Sequence, residues 1–245
     1  MIPKIIHYCW LSGDPYPEKI QHCLNSWKRH LPDYEFVLWD TNRFQLEKSI
    51  WVKEAFSVKK YAFAADYIRL YAVYNYGGIY LDSDVEVLKR FDDVLNLPYF
   101  IGNESFENRV EIAAFGAEKG TRWIKECLDY YENRHFIKQN GEYDDKVMPD
   151  VIYEILNPQY EFCNISSITE FRHDKNVLNI FPKDWFCANV HLNKDDKIPS
   201  YIISQSTYCV HHFANSWMKI NKIKLIILKI LSKFNIHKNR KIEWR

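Results

Sequence analysis

Asp82, Ser83 and Asp84 follow the stretch Tyr76-Gly77-Gly78-Ile79-Tyr80-Leu81 and lead into Val85-Glu86-Val87. The two glycines end a helical pattern and Ile79 to Leu81 have strand character, which places both carboxylates at the mouth of a buried strand. Alternate residues of a strand share a face, so Asp82 and Asp84 are expected one pleat apart and pointing the same way. Carboxylates held that close repel unless a cation lies between them or one keeps its proton. Hard oxygen ligands at a strand end suit Mg2+ or Mn2+, which keep open positions for the oxygens of a substrate phosphate. The first expectation is therefore a divalent-metal site that receives a diphosphate. Asp-Ser-Asp is also ordinary turn chemistry. What raises it above a turn is the apolar strand before it, because open α/β sheets bind ligands where their strands end.

Two further groups of residues could do chemistry. Asp66 and Arg69 stand three apart in a helical stretch and so share one face. An exposed pair of this kind is worth at most ~1 kcal/mol. Here Ala62, Ala64 and Ala65 surround the acid, and so small-residued a face is packed rather than solvated, which predicts a partly buried, oriented pair. Near the end of the globular sequence, Cys209-Val210-His211-His212 is followed by Ser216-Trp217. One histidine there would complete a three-ligand set with the two aspartates, a mixture of oxygen and imidazole that Mn2+ accepts.

The elements that must position these groups alternate. Lys4 to Trp10 reads as a buried strand, Ile20, Leu24, Trp27 and Leu31 recur at helical spacing, and Tyr34 to Trp39 reads as a second strand. That order predicts parallel pairing of the two strands. Residues 60 to 76 form a helix, and Tyr99 to Gly102 and Val110 to Ala114 are strands. A helix over Lys119 to Tyr131 follows, then a polar loop over the site from Asn133 to Asp150 and a short helix from Val151 to Leu156. Val177 to Phe181 and Thr207 to Val210 close the series as weaker strands. The dinucleotide fingerprint is absent, since its glycines are missing after the first strand.

The 245 residues can bury one sizeable core, and 47% are hydrophobic, which excludes disorder as the default. The six cysteines are scattered without a C-x-x-C pair, as expected of reduced thiols. No signal pattern opens the chain and no apolar run approaches the ~20 residues of a membrane span, which predicts a cytoplasmic protein. Residues 219 to 245 carry +8 of formal charge and the rest −7. An acidic body argues against nucleic acid as a partner. In the tail, Ile220, Ile223, Ile227, Ile230, Leu231 and Phe234 fall on one helical face, with Lys219, Lys222, Lys229 and Lys233 opposite. That pattern predicts a C-terminal amphipathic helix lying on the anionic inner surface of the cell membrane. A terminal helix packed on its own domain has the same pattern.

Taken together, these blocks resemble glycosyltransferase family 32, which includes fungal initiating mannosyltransferases and small bacterial capsule and lipopolysaccharide transferases, with large glucosylating toxins as relatives. The resemblance rests on Ile2-Pro3-Lys4-Ile5-Ile6-His7-Tyr8-Cys9-Trp10, Pro32 to Glu35, Trp39-Asp40, Lys60 to Leu70, Gly77 to Val87, His211-His212 and Ser216-Trp217, in that order, over residues 1 to 218. It implies a single α/β domain of the GT-A type, Rossmann-like and nucleotide-sugar-binding, with a mixed central sheet, followed by the basic tail at 219 to 245. It also implies a retaining, Mn2+- or Mg2+-dependent transfer of a hexose from a nucleotide sugar to a glycan acceptor. By the same likeness, Trp10 would lie against the nucleobase, and Asp66 and Arg69 would hold donor-sugar hydroxyls. Asp82 would bridge the donor and the metal, Ser83 would line the donor site, and Asp84 would ligate the metal. His212 would be the third metal ligand, with His211 the alternative, and Ser216 and Trp217 would contact the diphosphate. Trp10 favours a UDP-sugar over GDP-mannose. A lipid-linked oligosaccharide acceptor in capsule, lipopolysaccharide or exopolysaccharide synthesis would explain the tail. Val147-Met148-Pro149 departs from the Thr-Gly-Pro that relatives often place before a helix, on the acceptor side.

Two other classes fit parts of the sequence. Leu81-Asp82-Ser83-Asp84-Val85 also matches the D-x-D-x-V signature of haloacid-dehalogenase-like phosphatases, with Asp82 as nucleophile. That motif normally ends the first strand and is joined later by G-D-x-x-x-D, which this sequence lacks. A non-enzymatic carbohydrate-binding module would not need a helix-borne acid and base together with a metal set.

Overall fold

The first strand and the helix before the third are held together by one histidine. In the computed structural model, which describes residues 1–104, 109–188 and 203–213, β1 (Ile5–Cys9) carries His7 beneath the end of a long helix. α1 (Glu18–His30) and β2 (Glu35–Trp39) come next, then α2 (Ile50–Ser57), α3 (Tyr61–Tyr76) and β3 (Gly78–Leu81). β4 (Val85–Val87), β5 (Tyr99–Asn103), β6 (Val110–Ala117), α4 (Arg122–Tyr130) and α5 (Met148–Leu156) follow. The last described elements are β7 (Glu161–Asn164), β8 (Val177–Ile180), α6 (Lys183–Phe186) and β9 (Cys209–His211).

The central sheet has the order β2-β1-β3-β6-β5. β1 pairs in parallel with both β2 and β3, while β6 is antiparallel to β3 and β5. The expected mixed sheet is therefore present, and so is the parallel pairing of the first two strands. These strands and helices belong to one compact unit, Met1–Phe213. The tail from residue 219, with its expected helix, lies outside the described residues.

α3 ends as its sequence implies. Gly77 caps it at φ +67°, and its N–H is bonded to Val73 O at 2.8 Å. Gly78 follows at φ +107°, and a Cβ there would lie 2.7 Å from Ile5 O. Only glycine lets β3 turn out of the helix and come this close to β1. His7 Nε2 donates to Gly77 O at 2.8 Å, while its Nδ1 accepts from Trp39 Nε1 at 3.1 Å. The imidazole is thus locked as the neutral Nε2–H form, and a second proton would face the indole donor.

That lock makes stability depend on pH. Burial pushes His7 down from 6.5 to about 4. Between those values the unfolded chain binds the proton and the folded chain does not, so stability falls as the pH drops through that window. The full loss is about 3 kcal/mol for the ~2.5 units separating 6.5 from about 4. Urea midpoints at pH 7 and pH 4.5 should therefore converge in His7→Gln, which does not titrate. An equal acid loss in the variant would locate the sensitivity elsewhere.

β4 is the strand that leaves the two aspartates, and it is clamped from both sides. On one edge it pairs antiparallel with β9, setting Val85 opposite His211 and Val87 opposite Cys209. On the other, α1 supplies side chains in place of a strand: Trp27 Nε1 donates to Val85 O at 2.7 Å, and Ser26 Oγ accepts from Val87 N at 2.9 Å. The buried face of α1 (Ile20, Cys23, Leu24, Trp27) has the spacing read from the sequence.

Several local expectations need correction. α2 was not foreseen; Ser49 caps it by accepting from Val52 N at 3.3 Å, and Trp51, Val52 and Ala55 bury it. β7, β4 and α6 also go beyond the sequence reading. The segment 133–150 was expected over the site. Its contacts include α2 and α3, where buried Phe136 packs on Trp51 and Phe63 and His135 bonds Glu54, and its end forms the first turn of α5, with Asp150 paired to Arg109. The six cysteines are free thiols, as expected.

Candidate metal and donor site

β3 stops at Leu81, so the two aspartates do not sit one pleat apart on a strand as the sequence suggested. Asp82 to Val85 is a turn, closed by Val85 N–H donating to Asp82 O at 2.9 Å. The turn still achieves convergence. Ligand atoms of Asp82, Asp84 and His211 all lie within 4.8 Å of one another. Three carbonyl-to-amide links fix this: the turn itself, the pairing of Val85 with His211, and His212 N–H donating to Asp84 O at 3.1 Å.

The histidine beside the two aspartates is His211, while His212, the preferred candidate from the resemblance, lies against Glu86. His211 Nε2 is 3.5 Å from Asp84 Oδ1, whereas His212 Nε2 is 2.9 Å from Glu86 Oε2. The reason is the alternation of side chains along an extended backbone: if one histidine reaches Asp84, its neighbour must face away.

Asp66 and Arg69 meet the expectation of burial. They are 8% and 5% exposed, which rules out a surface ion pair. The guanidinium lies 3.2 Å from Asp66 Oδ1 and 3.3 Å from Asp82 Oδ1, donates to Ile112 O at 3.0 Å, and sits over the Tyr80 ring at 4.8 Å. Tyr80 donates its hydroxyl to Asp82 Oδ1 at 2.9 Å. Arg69 therefore joins the helix-borne acid to the first aspartate of the turn. Burial pushes the Asp66 carboxyl up to about 7, with Arg69 opposing and Asp82 adding to the rise. Burial also raises Asp82, again against Arg69 and with Asp84 adding. For His211, burial works against the charged form, but Asp84, Cys187 and Glu111 outweigh it and raise it well above its ordinary value. The cluster thus calls for positive charge. Two carboxylates and one imidazole answer that call in a form that fits Mn2+ or Mg2+.

Trp10 leaves the carboxyl end of β1, beside the end of β3 in the parallel register. Its Nε1 donates to Asp14 O at 2.7 Å and its ring lies 5.0 Å from that of Tyr16. Ser83 sits within the turn. Ser216 and Trp217 lie outside the described residues. Sequence reading missed Glu111, which is 4% exposed and lies behind His211, its Oε1 3.7 Å from Nδ1. A lone carboxylate in the otherwise apolar run Val110–Ala117 was the available signal.

A mixed α/β sheet that ends its central strand in an acidic D-x-D turn, with a buried Asp-Arg pair behind it, is the arrangement to set beside known proteins. Residues 17–101 match the family model described as "Glycosyltransferase sugar-binding region containing DXD motif", which bears out the resemblance drawn from the motifs. Inositol phosphoceramide mannosyltransferase 3 of Schizosaccharomyces pombe is 35% identical over 108 residues, 42% of this chain and 30% of that protein. The chain thus spans less than a third of that relative's length. An uncharacterized glycosyltransferase of Acanthamoeba polyphaga mimivirus is 26% identical over 206 residues, 78% of this chain and 81% of the viral protein. Among solved structures, PaToxG glycosyltransferase aligns with a TM-score of 0.48 and 22% identity, over 64% of this chain and 68% of that one.

Proposed function

We propose that this protein is a metal-dependent, retaining glycosyltransferase that moves a hexose from a nucleotide sugar to a glycan or lipid-linked acceptor. The observation that carries the proposal is the convergence of Asp82, Asp84 and His211 at the end of β3, tied through Arg69 to Asp66. Asp82, Asp84 and His211 would hold the cation, which supplies Lewis-acid stabilisation of the diphosphate as the sugar–phosphate bond breaks. Arg69, fixed by Asp66, Asp82 and the Ile112 carbonyl, is a preorganised charge that costs no reorganisation during the reaction. Asp66 accepts hydroxyls of the donor sugar, and Trp10 covers the base. A nucleophilic carboxylate would be the ordinary route to retention. Glu111, a carboxylate beside the cluster, is buried and spends Oε1 on the Ala113 N–H, and Asp66 is held by Arg69. We therefore favour attack on the same face, with the departing phosphate taking the acceptor's proton.

The phosphatase alternative loses ground because β3 is the third strand and lies centrally in the sheet, not the first. The fungal relatives' printed names concern mannose and an inositol phosphoceramide, a lipid. Those names support a hexose and a lipid-borne acceptor, while Trp10 is the argument for UDP. No helix among the described residues is long and apolar enough to cross a membrane. We assign contact with an anionic membrane surface, and with it a peripheral place on the inner face, to the tail at 219 to 245. A role in capsule, lipopolysaccharide or exopolysaccharide synthesis, with a lipid-linked acceptor, is part of the same proposal.

A panel of UDP- and GDP-linked hexoses, assayed for release of nucleotide diphosphate with Mn2+ and with chelator, tests the activity. One donor should turn over only with metal. Turnover undiminished in excess chelator would refute metal dependence, and absence of turnover with every donor, acceptor extracts included, would refute the transfer. Deleting residues 219 to 245 should abolish sedimentation with anionic liposomes. Unchanged sedimentation would place membrane contact elsewhere.

A further inference from the structure

His211 stands between two carboxylates, one at each ring nitrogen. Nε2 faces Asp84 Oδ1 at 3.5 Å and Nδ1 faces Glu111 Oε1 at 3.7 Å. His211 Nδ1 and Glu111 Oε2 are buried without a hydrogen-bond partner. Glu111 is not free to wander. Its Oε1 accepts from Ala113 N at 2.7 Å, at the place where β6 loses register with β5. An imidazole has two neutral tautomers, and only one of them presents a lone pair to a given side. A carboxylate behind a metal-binding histidine selects that tautomer, aims the ring and makes the imidazole a better donor.

We infer that Glu111 is the positioning residue of the cation site, taking the Nδ1–H of His211 so that Nε2 offers its lone pair beside Asp82 and Asp84. The inference rests on the metal reading proposed above. A purely structural Glu111 would serve only the Ala113 N–H. The side-chain amide of Glu111→Gln keeps that acceptor and its shape but removes the charge, so this variant separates the two roles. Cys187 is the competing feature. With Glu111 and His211 it forms a second cluster whose ligand atoms lie within 4.8 Å of one another, and its thiol would suit Zn2+ rather than Mn2+. In that arrangement Glu111 would be a ligand and His211 Nδ1 would carry no proton.

The test uses the full chain. Free Mn2+ is followed by electron paramagnetic resonance during titration, and the tautomer of His211 is read from 15N-histidine correlation spectra in Mg2+. We expect His211 to appear as the Nδ1–H form. Glu111→Gln should weaken Mn2+ binding about tenfold and Glu111→Ala toward a hundredfold, while Glu111→Gln melts close to wild type. Three results would overturn the inference: a His211 carrying its proton on Nε2, Mn2+ affinity unchanged in both Glu111 variants while His211→Ala weakens it, or a Zn2+ ion bound per chain and lost in Cys187→Ala. If His211→Ala itself leaves Mn2+ affinity unchanged, the proposed ligand set fails, and the role of Glu111 fails with it.

Discussion

Asp84→Ala should leave the fold intact and reduce metal-dependent donor turnover by at least about 10²–10³-fold, the order seen when one preorganised electrostatic group is removed from an active site. The fold should survive because Asp84 lies in a turn whose backbone bonds, Asp82 O with Val85 N and Asp84 O with His212 N, need no side chain. Removing the carboxylate relieves repulsion with Asp82 but also takes a partner from His211, and the two effects oppose each other. The melting temperature should therefore change little while turnover drops to the level of wild type in chelator. Comparable turnover in the variant would remove Asp84 from the site.

The opposite pattern is expected of Arg69→Ala, where stability fails together with activity. The guanidinium is 5% exposed and lies against Asp66, Asp82 and the Ile112 carbonyl. Its loss leaves the buried Asp66 carboxylate, the partly buried Asp82 and the Ile112 carbonyl without their cation. Breaking a buried pair by removing one partner costs about 3–5 kcal/mol, which for a chain of this size is a fall of roughly 10 °C or more in Tm. Arg69→Lys should recover only part of this, because a single ammonium cannot serve partners spread over a planar fork. Calorimetry of the two variants beside Asp84→Ala provides the check. If Arg69→Ala melts with wild type, the pair is not the buried electrostatic tie described above.

What could be seen in the sequence follows how locally each feature is specified. α3, its Gly77 cap and the Asp66–Arg69 pair depend on neighbours within one or two helical turns, and the three-residue spacing was enough to place acid and base on one buried face. The strand β1 and its parallel pairing with β2 came from an alternation rule of similar range. The choice between His211 and His212 was different. It is set by the register of β4 against β9, strands far apart in the sequence, and a slip of one residue exchanges the two imidazoles. The turn at Asp82 to Val85 was hidden for a related reason: the apolar run before it reads as extended through both aspartates, and only Val85's commitment to β9 and α1 ends one strand and begins another. α2 was concealed by its short length, although Ser49 before Trp51 and Val52 is the cap that marks it. Glu111 was legible only as an exception, a charge inside an apolar strand, and its partner was again distant in sequence.

The most direct test is an anomalous difference map from a crystal of the full chain soaked with Mn2+ and a nucleoside diphosphate. A single peak bounded by Asp82, Asp84 and His211 Nε2, with phosphate oxygens completing the coordination and His212 still on Glu86, is the predicted result. A map in which these three side chains hold no manganese while the nucleotide is bound would contradict the account.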